Sequence, residues 1–245
     1  MSTVVIIPAR LASTRLKNKA LAVIDGKPMV QWTFEQAKKA NVGDVYVATC
    51  CEEIQSVIEG IGGKAILTNP ELQSGTDRVY KAYKSLKKDY DKIVNVQGDI
   101  PFMPPQYIQQ VVDTFQPTSD ITSLCAPIHD MEEARLASVV KPVLHFINDN
   151  LAKALYFSRS QVPYNAQTYY HHLGIYAFRS HSLKRFVELP PSQLEKEESL
   201  EQLRALENDM IIHMGFVKEA PISVDTQDDL DRVRLYSTRI KNTNF

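Results

Sequence analysis

Apolar and polar positions alternate along the first hundred residues in blocks that predict strands and helices in turn. The predicted strands are short apolar or β-branched runs of the kind buried on both faces, at residues 4–7, 44–49, 64–68 and 92–96. Apolar residues at helical spacing predict the helices between them, at residues 28–40, 52–60 and 76–88. This alternation predicts an α/β fold with a mainly parallel central sheet flanked by helices.

The pattern becomes less regular beyond residue 101. It predicts helices at residues 104–115, 194–206 and 227–239, strands at 121–126 and 172–178, and extended segments at 139–144 and 154–157. Glu195, Glu198 and Glu201 recur every third residue in the second of these helices, which favours a solvated face. We expect one domain over residues 1–245, with a first half ending near residue 125, a smaller mixed α/β lobe to about 220, and a return of residues 221–245 to the first half in a final helix.

Composition narrows the class of protein. Of the 245 residues, 44% are hydrophobic and 23% are charged, which is typical of a folded globular protein. The 28 basic and 29 acidic residues give a net charge of −1, so nothing favours nucleic acid as a partner.

The cysteines and the N-terminus bear on location. Cys50, Cys51 and Cys125 form no paired motif and are expected to be free thiols of a reducing compartment. The first charge, Arg10, follows the N-terminal apolar run, which is the reverse of a signal peptide. No apolar run approaches the ~20 residues of a membrane helix, so we expect a cytoplasmic chain with no membrane partner.

The segment after the first predicted strand concentrates positive charge. It reads PARLASTRLKNK from residue 8 to 19 and contains Arg10, Arg15, Lys17 and Lys19, with Ser13 among them. Open α/β sheets bind ligands at the carboxyl ends of their strands, and a polyphosphate needs several cations around one loop. The pattern favours a phosphate-binding loop, with a solvated basic loop as the alternative. Neither G-x-x-x-x-G-K-[ST] nor G-x-G-x-x-G occurs in the chain, which excludes those two nucleotide-binding motifs.

Two aspartates far apart in sequence are candidate metal ligands. Asp99 follows the predicted strand at 92–96, after a glycine that lets a ligand approach. Asp225 follows Val224 near the start of the last predicted helix. Mg²⁺ prefers few carboxylates together with substrate phosphates, so two aspartates would suffice. A simple turn at Gly98-Asp99 and a helix cap within residues 225–229 are the alternatives.

Eight segments, in this order along the chain, carry a family resemblance. They are VVIIPARLASTRLKNKAL, DGKPMV, LTNPELQSGTDR, IVNVQGD, ALYFSR, HHLGIYAFR, LEQLR and VDTQDDLDRVR. With them the chain resembles the 3-deoxy-manno-octulosonate (Kdo) cytidylyltransferases, the CMP-Kdo synthetases of lipopolysaccharide biosynthesis, from Val4 to about Arg234. The opening loop is shared by many nucleotidyltransferases, whereas QSGTDR, HLGIY and LEQLR narrow the resemblance to the Kdo branch.

The resemblance implies a reaction in which CTP and Kdo give CMP-Kdo and diphosphate, with Mg²⁺ as cofactor. It implies a Rossmann-like fold of the nucleotide-diphospho-sugar transferase type, with a nucleotide-binding first half. It also implies a homodimer, and a sugar-binding and dimerisation lobe at about 126–220. The anomeric hydroxyl of Kdo would attack the α-phosphate in line with departing diphosphate, so catalysis would consist mainly of positioning and charge neutralisation.

The matching motifs also imply roles for individual residues. The catalytic residues would be Lys19, Arg10, Asp99 and Asp225, with both aspartates as metal ligands. The nucleotide would contact Pro8, Ala9, Arg10, Ser13, Arg15, Lys19 and Ser74. The sugar acid would contact Arg78, Gln97, Arg159, His172, Tyr176, Glu201 and Gln202.

The chain departs from the family pattern at three places. Ile100 stands where the family's VQGDEP has its glutamate, Lys17-Asn18 replaces a Pro-Gly pair, and Cys50 stands where an aspartate is common. We expect position 100 to leave the metal untouched and to shape the sugar side of the cleft. The change leaves open which ulosonic acid is preferred.

Two alternatives to a Kdo enzyme follow. One is a cytidylyltransferase for a related acid sugar, such as 8-amino-Kdo or a nonulosonate. The other is a catalytically silent nucleotide-binding regulator. The presence of Arg10, Lys19, Asp99 and Asp225 argues against silence, because a regulator would be free to lose any of them.

Overall fold

A computed structural model describes residues 1–11 and 16–243 of the chain, with side chains up to Arg239. The described chain forms two compact units. The N-terminal unit comprises residues 2–89, 95–108 and the chain from residue 221 onward, and the central unit comprises residues 1, 90–94 and 109–220. Three separate stretches of sequence therefore build the N-terminal unit.

The strands and helices of the described residues follow one another as predicted over most of the first hundred residues. The strands are β1 (Thr3–Ala9), β2 (Val23–Ile24), β3 (Lys27–Pro28), β4 (Asp44–Thr49), β5 (Ala65–Leu67), β6 (Lys92–Val96), β7 (Ile121–Ile128), β8 (Lys141–Asn148), β9 (Leu151–Ser158), β10 (Tyr169–Arg179) and β11 (Ile212–Phe216). The helices are α1 (Met29–Ala40), α2 (Glu52–Gly60), α3 (Gly75–Ser85), α4 (Pro105–Asp113), α5 (Met131–Arg135), α6 (Ser180–Glu188), α7 (Gln193–Glu198), α8 (Gln202–Leu206) and α9 (Gln227–Thr243).

The sheet of the N-terminal unit has the strand order β5-β4-β1, and the last two residues of β6, Asn95 and Val96, also belong to this unit. β1 pairs in parallel with β4, and β4 pairs in parallel with β5. All seven residues of β1 are buried, as its continuous apolar sequence predicts for a central strand. Amphipathic helices cover the sheet: α1 buries Met29, Val30, Phe34 and Ala37 on one face. The prediction of an α/β fold with helices flanking the sheet is confirmed.

Gly98 lies just beyond the carboxyl end of β6, where the chain approaches β1 closely. A Cβ atom at this position would lie 2.9 Å from the Pro8 carbonyl oxygen and 3.8 Å from Cγ2 of Ile7. The neighbour is backbone, so it cannot rotate aside as a side chain can. The absence of a side chain at residue 98 thus allows the turn that carries Asp99 to lie against β1.

Gly98→Ala is expected to destabilise the protein by about 1–3 kcal/mol, because the added methyl group must push the two strand ends apart. Urea unfolding of both proteins measures the difference in the free energy of unfolding. Gly60→Ala is the matched control, since nothing lies within 4 Å of a Cβ atom there and alanine suits a helix. Equal losses in the two variants would contradict the close approach at Gly98.

The last stretch of the chain packs back onto the first. Val224, Leu230 and Val233 form a buried cluster with Ile24 and Met29. The Val224 amide also donates a 2.9 Å hydrogen bond to the Asp99 carbonyl oxygen. This contact fixes the start of the final segment beside the end of β6.

The central unit contains a sheet of mixed direction, with the strand order β10-β7-β11-β9-β8. β11 is parallel to β7, whereas β10 is antiparallel to β7, and β9 is antiparallel to both β8 and β11. Sequence periodicity predicted neither β11 nor the helix α6. None of the helices within residues 1–11 and 16–243 combines the length and the apolar composition needed to cross a membrane.

The continuous helix predicted at 194–206 is wrong. Ser199 adopts a left-handed conformation with φ 54°, which ends α7, and α8 begins at Gln202. The solvated glutamate face predicted for that helix is also wrong. Glu195 forms a largely buried ion pair with Arg204, which lowers the pKa of Glu195 although burial alone would raise it. Glu198 accepts hydrogen bonds from Ser158 Oγ at 2.6 Å and the Arg159 amide at 2.8 Å.

Candidate active site

A cleft of about 550 Å³ opens in the N-terminal unit at the carboxyl ends of β1 and β6. Its volume lies within the range of small-molecule sites, and its position is the one at which open α/β sheets bind ligands. Its walls come from six parts of the chain: the end of β1, the Lys19 turn, the start of α1, the start of α3, the turn after β6 and Asp225 of the final segment. The lining residues are Pro8, Ala9, Arg10, Lys19, Ala20, Met29, Leu72, Gln73, Ser74, Gly75, Arg78, Gln97, Gly98, Asp99 and Asp225.

Lys19 joins the two predicted metal ligands at the floor of this cleft. Its Nζ lies 3.0 Å from Oδ2 of Asp99 and 3.0 Å from Oδ1 of Asp225. The lysine side chain is 18% exposed, against 27% for Asp99 and 41% for Asp225. Burial alone would lower the pKa of Lys19, but the charges and hydrogen bonds of both aspartates raise it above its ordinary value of 10.5. Lys19 is therefore an ammonium that both carboxylates share.

The structure tests one of the two interpretations of the segment 225–229, namely that Asp225 caps the last helix. The side chain of Asp229 accepts hydrogen bonds from the amides of Asp225 and Thr226, and Thr226 Oγ1 accepts one from the Asp229 amide. Thr226 and Asp229 thus form the reciprocal cap at the start of α9. Because the cap uses these two side chains, the Asp225 carboxylate points to Lys19 instead. Asp225 is not the helix cap.

The donor set at this point fits a hard divalent cation. Two carboxylates from separate segments already converge on one positive charge. Across residues 1–11 and 16–243, no group of three or more His, Cys, Asp or Glu side chains forms a metal-binding cluster. A site with two carboxylates suits Mg²⁺, which keeps part of its coordination for water and phosphate oxygens, better than a metal that needs an all-protein cage.

The predicted nucleotide contacts divide into two sets. Pro8, Ala9, Arg10 and Ser74 all line the cleft, together with Lys19. The Ser74 hydroxyl also caps α3, because it accepts a hydrogen bond from the Asp77 amide at 3.0 Å. Ser13 and Arg15 lie outside the described residues, so their roles stay predictions.

Two of the predicted sugar contacts, Arg78 and Gln97, also line the cleft. Arg78 is almost fully buried and donates hydrogen bonds to Thr68 Oγ1 and the Asn69 carbonyl oxygen. Gln97 Nε2 donates to Asn95 Oδ1 at 3.1 Å, so its amide oxygen remains available as an acceptor. Sequence reasoning missed Asn95, whose only signal is a polar residue between the apolar residues Val94 and Val96.

The other predicted sugar contacts belong to the central unit, where His172, Tyr176 and Glu201 lie together. The His172 ring packs against the rings of Phe157 and Tyr176, at centroid distances of 4.9 and 5.4 Å. Burial and the charge of Glu201 both raise the pKa of Tyr176, so its hydroxyl stays protonated. Gln202, the residue after Glu201, is buried. Within the described residues its Nε2 has no hydrogen-bond partner. A buried amide donor without a partner suits a ligand oxygen.

The His172 ring is neutral. Burial lowers its pKa from 6.5 to about 3, with a smaller contribution from His171. The Ser123 hydroxyl donates to the Ile175 carbonyl oxygen at 2.7 Å, so His172 Nε2, at 3.0 Å, is the donor to Ser123 Oγ. Nδ1 of His172 is then an acceptor, and the ring serves as a polar contact without charge.

We expect the imidazole NMR signals of His172 to stay constant between pH 5 and 8, because the folded pKa is about 3. The unfolded chain binds this proton near pH 6.5 and the folded chain does not, so His172 reduces stability as the pH falls from 6.5 towards 3. Comparison of ring spectra of the wild type and His172→Gln assigns the signal. A titration of that signal near pH 6.5 would contradict the buried neutral ring.

Arg159, the remaining sugar candidate, supports the turn that precedes Glu201. Its guanidinium donates to the carbonyl oxygens of Ala137, Glu198 and Ser199. Lys141 is fully buried below it and donates to the Arg159 carbonyl oxygen at 2.6 Å. Burial and the Arg159 charge lower the pKa of Lys141. Lys141 was not predicted, since a lysine at the start of a strand gives no sign of burial in sequence.

Ile100 lies in the turn after β6 and is 4% exposed. Its amide bonds to the Gln97 carbonyl oxygen, and its own carbonyl oxygen accepts from the Met103 amide. Asp99 and Gln97 line the cleft on the same turn, whereas Ile100 is not one of the lining residues. An effect of position 100 on sugar choice stays a prediction, and any such effect would act through the shape of this turn.

Comparisons with known proteins show the class of enzyme to which the chain belongs. The family described as cytidylyltransferase matches residues 4–212, so the chain is a nucleotidyltransferase. A 3-deoxy-manno-octulosonate cytidylyltransferase of Xanthobacter autotrophicus is 46% identical and covers 94% of this chain and 91% of the relative. Another, of Paramagnetospirillum magneticum, is 43% identical over 96% of this chain and 97% of the relative. The chain belongs to the 3-deoxy-manno-octulosonate cytidylyltransferase family.

Solved structures show the same relationship. The structure of a CMP:2-keto-3-deoxy-manno-octonic acid synthetase complexed with CTP is 35% identical, with a TM-score of 0.91 over 98% of this chain and 99% of that one. A 4-diphosphocytidyl-2C-methyl-D-erythritol synthase of Anaerococcus prevotii has a TM-score of 0.65 at 11% identity, over 97% of this chain and 98% of that one. The second likeness shows a shared fold alone.

Proposed function

We propose that the chain transfers the cytidylyl group of CTP to Kdo, releasing diphosphate and forming CMP-Kdo for lipopolysaccharide biosynthesis. The observation that carries the proposal is the convergence of Lys19, Asp99 and Asp225 in a nucleotide-sized cleft. The sequence relatives named for this activity, and the CTP complex of a similar structure, support the same substrates.

In this reaction the sugar hydroxyl attacks the α-phosphate while the bond to diphosphate breaks. Arg10 and Lys19, on the walls of the cleft, would neutralise charge that develops on the phosphates. Asp99 and Asp225 would hold Mg²⁺, which supplies Lewis-acid polarisation of a phosphoryl oxygen when bound. The protein residues act by binding and orienting the triphosphate, and no covalent intermediate on the chain is needed.

Each unit offers its own hydrogen-bonding groups among the residues proposed for the sugar acid. Gln97 offers an acceptor in the cleft. In the central unit, Gln202 offers a buried donor, and His172 and Tyr176 offer neutral polar groups whose charge does not change near neutral pH. Such groups suit the hydroxyls of a sugar. Arg78 is the cation proposed for the sugar acid in the N-terminal unit, and Arg159 and Glu201 are the charged residues proposed for it in the central unit.

The test is diphosphate release from CTP and Mg²⁺ with Kdo, 8-amino-Kdo or a nonulosonate, together with mass detection of the CMP-sugar. We expect the highest kcat/KM with Kdo and no release after EDTA treatment. A higher kcat/KM with 8-amino-Kdo or a nonulosonate would show that this sugar, and not Kdo, is the preferred substrate. CTP binding without turnover of any sugar would indicate the nucleotide-binding regulator. Ile100→Glu, checked for its melting temperature, tests whether position 100 alters the ratio between the sugars.

The proposal includes a homodimer in the cytoplasm. Phe146, Ile147 and Leu155 are large apolar side chains about half exposed on the β8–β9 hairpin of the central unit, and Phe146 stacks on Phe216. Several large apolar side chains exposed on one hairpin favour an interface there. The three cysteines are free thiols, as a reducing compartment would keep them. Light scattering of the purified protein would measure its mass against the 27.8 kDa of one chain.

A further inference from the structure

Lys19 stands at the point to which both metal ligands are directed. Its Nζ contacts one oxygen of each aspartate at 3.0 Å, which is the distance of a charge-assisted hydrogen bond. Two carboxylates this close repel each other unless a cation lies between them. Here the ammonium of Lys19 supplies that charge.

Mg²⁺ cannot share this position with the ammonium without rearrangement. The cation would need the same carboxylate oxygens, and the positive charges of the ion and the lysine would repel. Without nucleotide, the entering ion would break the two hydrogen bonds that Lys19 donates and would gain only two protein ligands in return. Such a site binds Mg²⁺ poorly, because this ion gives up its water reluctantly and relies on phosphate oxygens.

The triphosphate changes both sides of this exchange. Its oxygens supply the ligands that the protein lacks, and its negative charge offers Lys19 a new partner. Lys19 begins a short 3-10 turn, Lys19–Leu21, which follows Asn18 in a left-handed conformation with φ 54°. Only the flexible side chain has to move from the carboxylates to the phosphates, so the backbone of the turn can stay in place.

We propose that Lys19 is the resident cation of Asp99 and Asp225, and that nucleotide binding draws it away and opens the pair to the metal. The metal then binds together with the nucleotide and not before it. This inference rests on the proposed function for the identity of the nucleotide. Its test uses neither sugar nor turnover, so failure of the inference and failure of the proposed activity give different results.

The first experiment measures Mn²⁺ binding to the nucleotide-free protein, using the EPR signal of free Mn²⁺ as the readout. Lys19→Met removes the charge and keeps an unbranched chain, and we expect it to bind Mn²⁺ roughly tenfold more tightly than the wild type, since the ion no longer displaces a hydrogen-bonded ammonium. Lys19→Arg keeps a cation and is expected to bind as weakly as the wild type. Lys17→Met is the matched control, because Lys17 is exposed two residues away.

Equal Mn²⁺ affinity in the wild type and Lys19→Met would overturn the proposal. An increase in Mn²⁺ affinity in Lys17→Met as large as that in Lys19→Met would also overturn it. Lys19→Gln makes the same comparison should the methionine variant fail to fold. A second measurement needs no variant that lacks the charge. It follows the NMR signal of the Lys19 ¹³Cε atom in lysine-labelled protein, and the signal is assigned by its loss in Lys19→Arg. CTP alone should shift this signal, whereas a low concentration of Mg²⁺ alone should not. The opposite pattern, or no response to CTP, contradicts the proposed exchange.

Discussion

Lys19→Ala is expected to lower kcat by about 10²–10³-fold, the usual loss when one positioned charge is removed from a transition state. The melting temperature should fall by only a few degrees, because the two carboxylates that lose their shared cation line a cleft and keep access to solvent. Steady-state kinetics at saturating CTP and Mg²⁺ measure the loss, and a thermal melt of the same preparation measures the fold.

Lys17→Ala is the matched control for this variant, since it removes an exposed charge from the same loop. It should keep turnover within a few-fold of the wild type. A Lys19→Ala enzyme that melts like the parent and turns over equally fast would remove Lys19 from the active site. A large loss in both variants would point to the overall charge of the loop instead of the position of Lys19.

The second large effect concerns the two aspartates that share Lys19. We expect Asp99→Asn and Asp225→Asn each to lower turnover by about 10²-fold or more, because each removes a carboxylate from the proposed metal site. Residues that act as one unit give non-additive losses, so the double variant should be little worse than the poorer single variant. Rates measured across a Mg²⁺ titration separate weaker metal binding from slower chemistry.

Asp228→Asn is the matched control for the aspartate pair, because Asp228 is exposed next to the cap of α9. It should leave the rate and the Mg²⁺ requirement unchanged. If the losses of Asp99→Asn and Asp225→Asn multiply in full, the two residues perform separate tasks. The shared ion would then be the wrong account of their convergence.

Periodicity predicted the N-terminal unit well because its strands are short, apolar and separated by amphipathic helices. It failed at β11, whose sequence IHMGF interrupts the apolar run with His213 and Gly215. His213 is accommodated by a 2.8 Å contact between its Nδ1 and Ser119 Oγ. A Cβ atom at Gly215 would lie 2.6 Å from Thr114 Oγ1, so this strand needs a glycine for close packing. The His213 contact and the close packing at Gly215 both involve residues far away in sequence, so neither produces a periodic pattern along the chain.

The sequence also indicated the members of the site more readily than their arrangement. Lys19, Asp99 and Asp225 each follow a recognisable local pattern, but they meet only because the fold brings together segments far apart in sequence, as in the hydrogen bond from Val224 to the Asp99 carbonyl oxygen. The break at Ser199 was not predictable from helical spacing, because serine adopts a left-handed conformation there only with support from its surroundings. Arg159 supplies part of that support through the Ser199 carbonyl oxygen.

The assembly of the N-terminal unit from three stretches of chain has a consequence for biosynthesis. Its last stretch begins at residue 221, so a ribosome translates Lys19 and Asp99 long before Asp225. Until then the nascent cleft has one carboxylate for the lysine, and Ile24 and Met29 lack the residues of the final segment that cover them. The pairing of Asp99 with Asp225 and this part of the core are completed in the same step. A nascent chain therefore completes this cleft only after residues 221–233 have left the ribosome and docked.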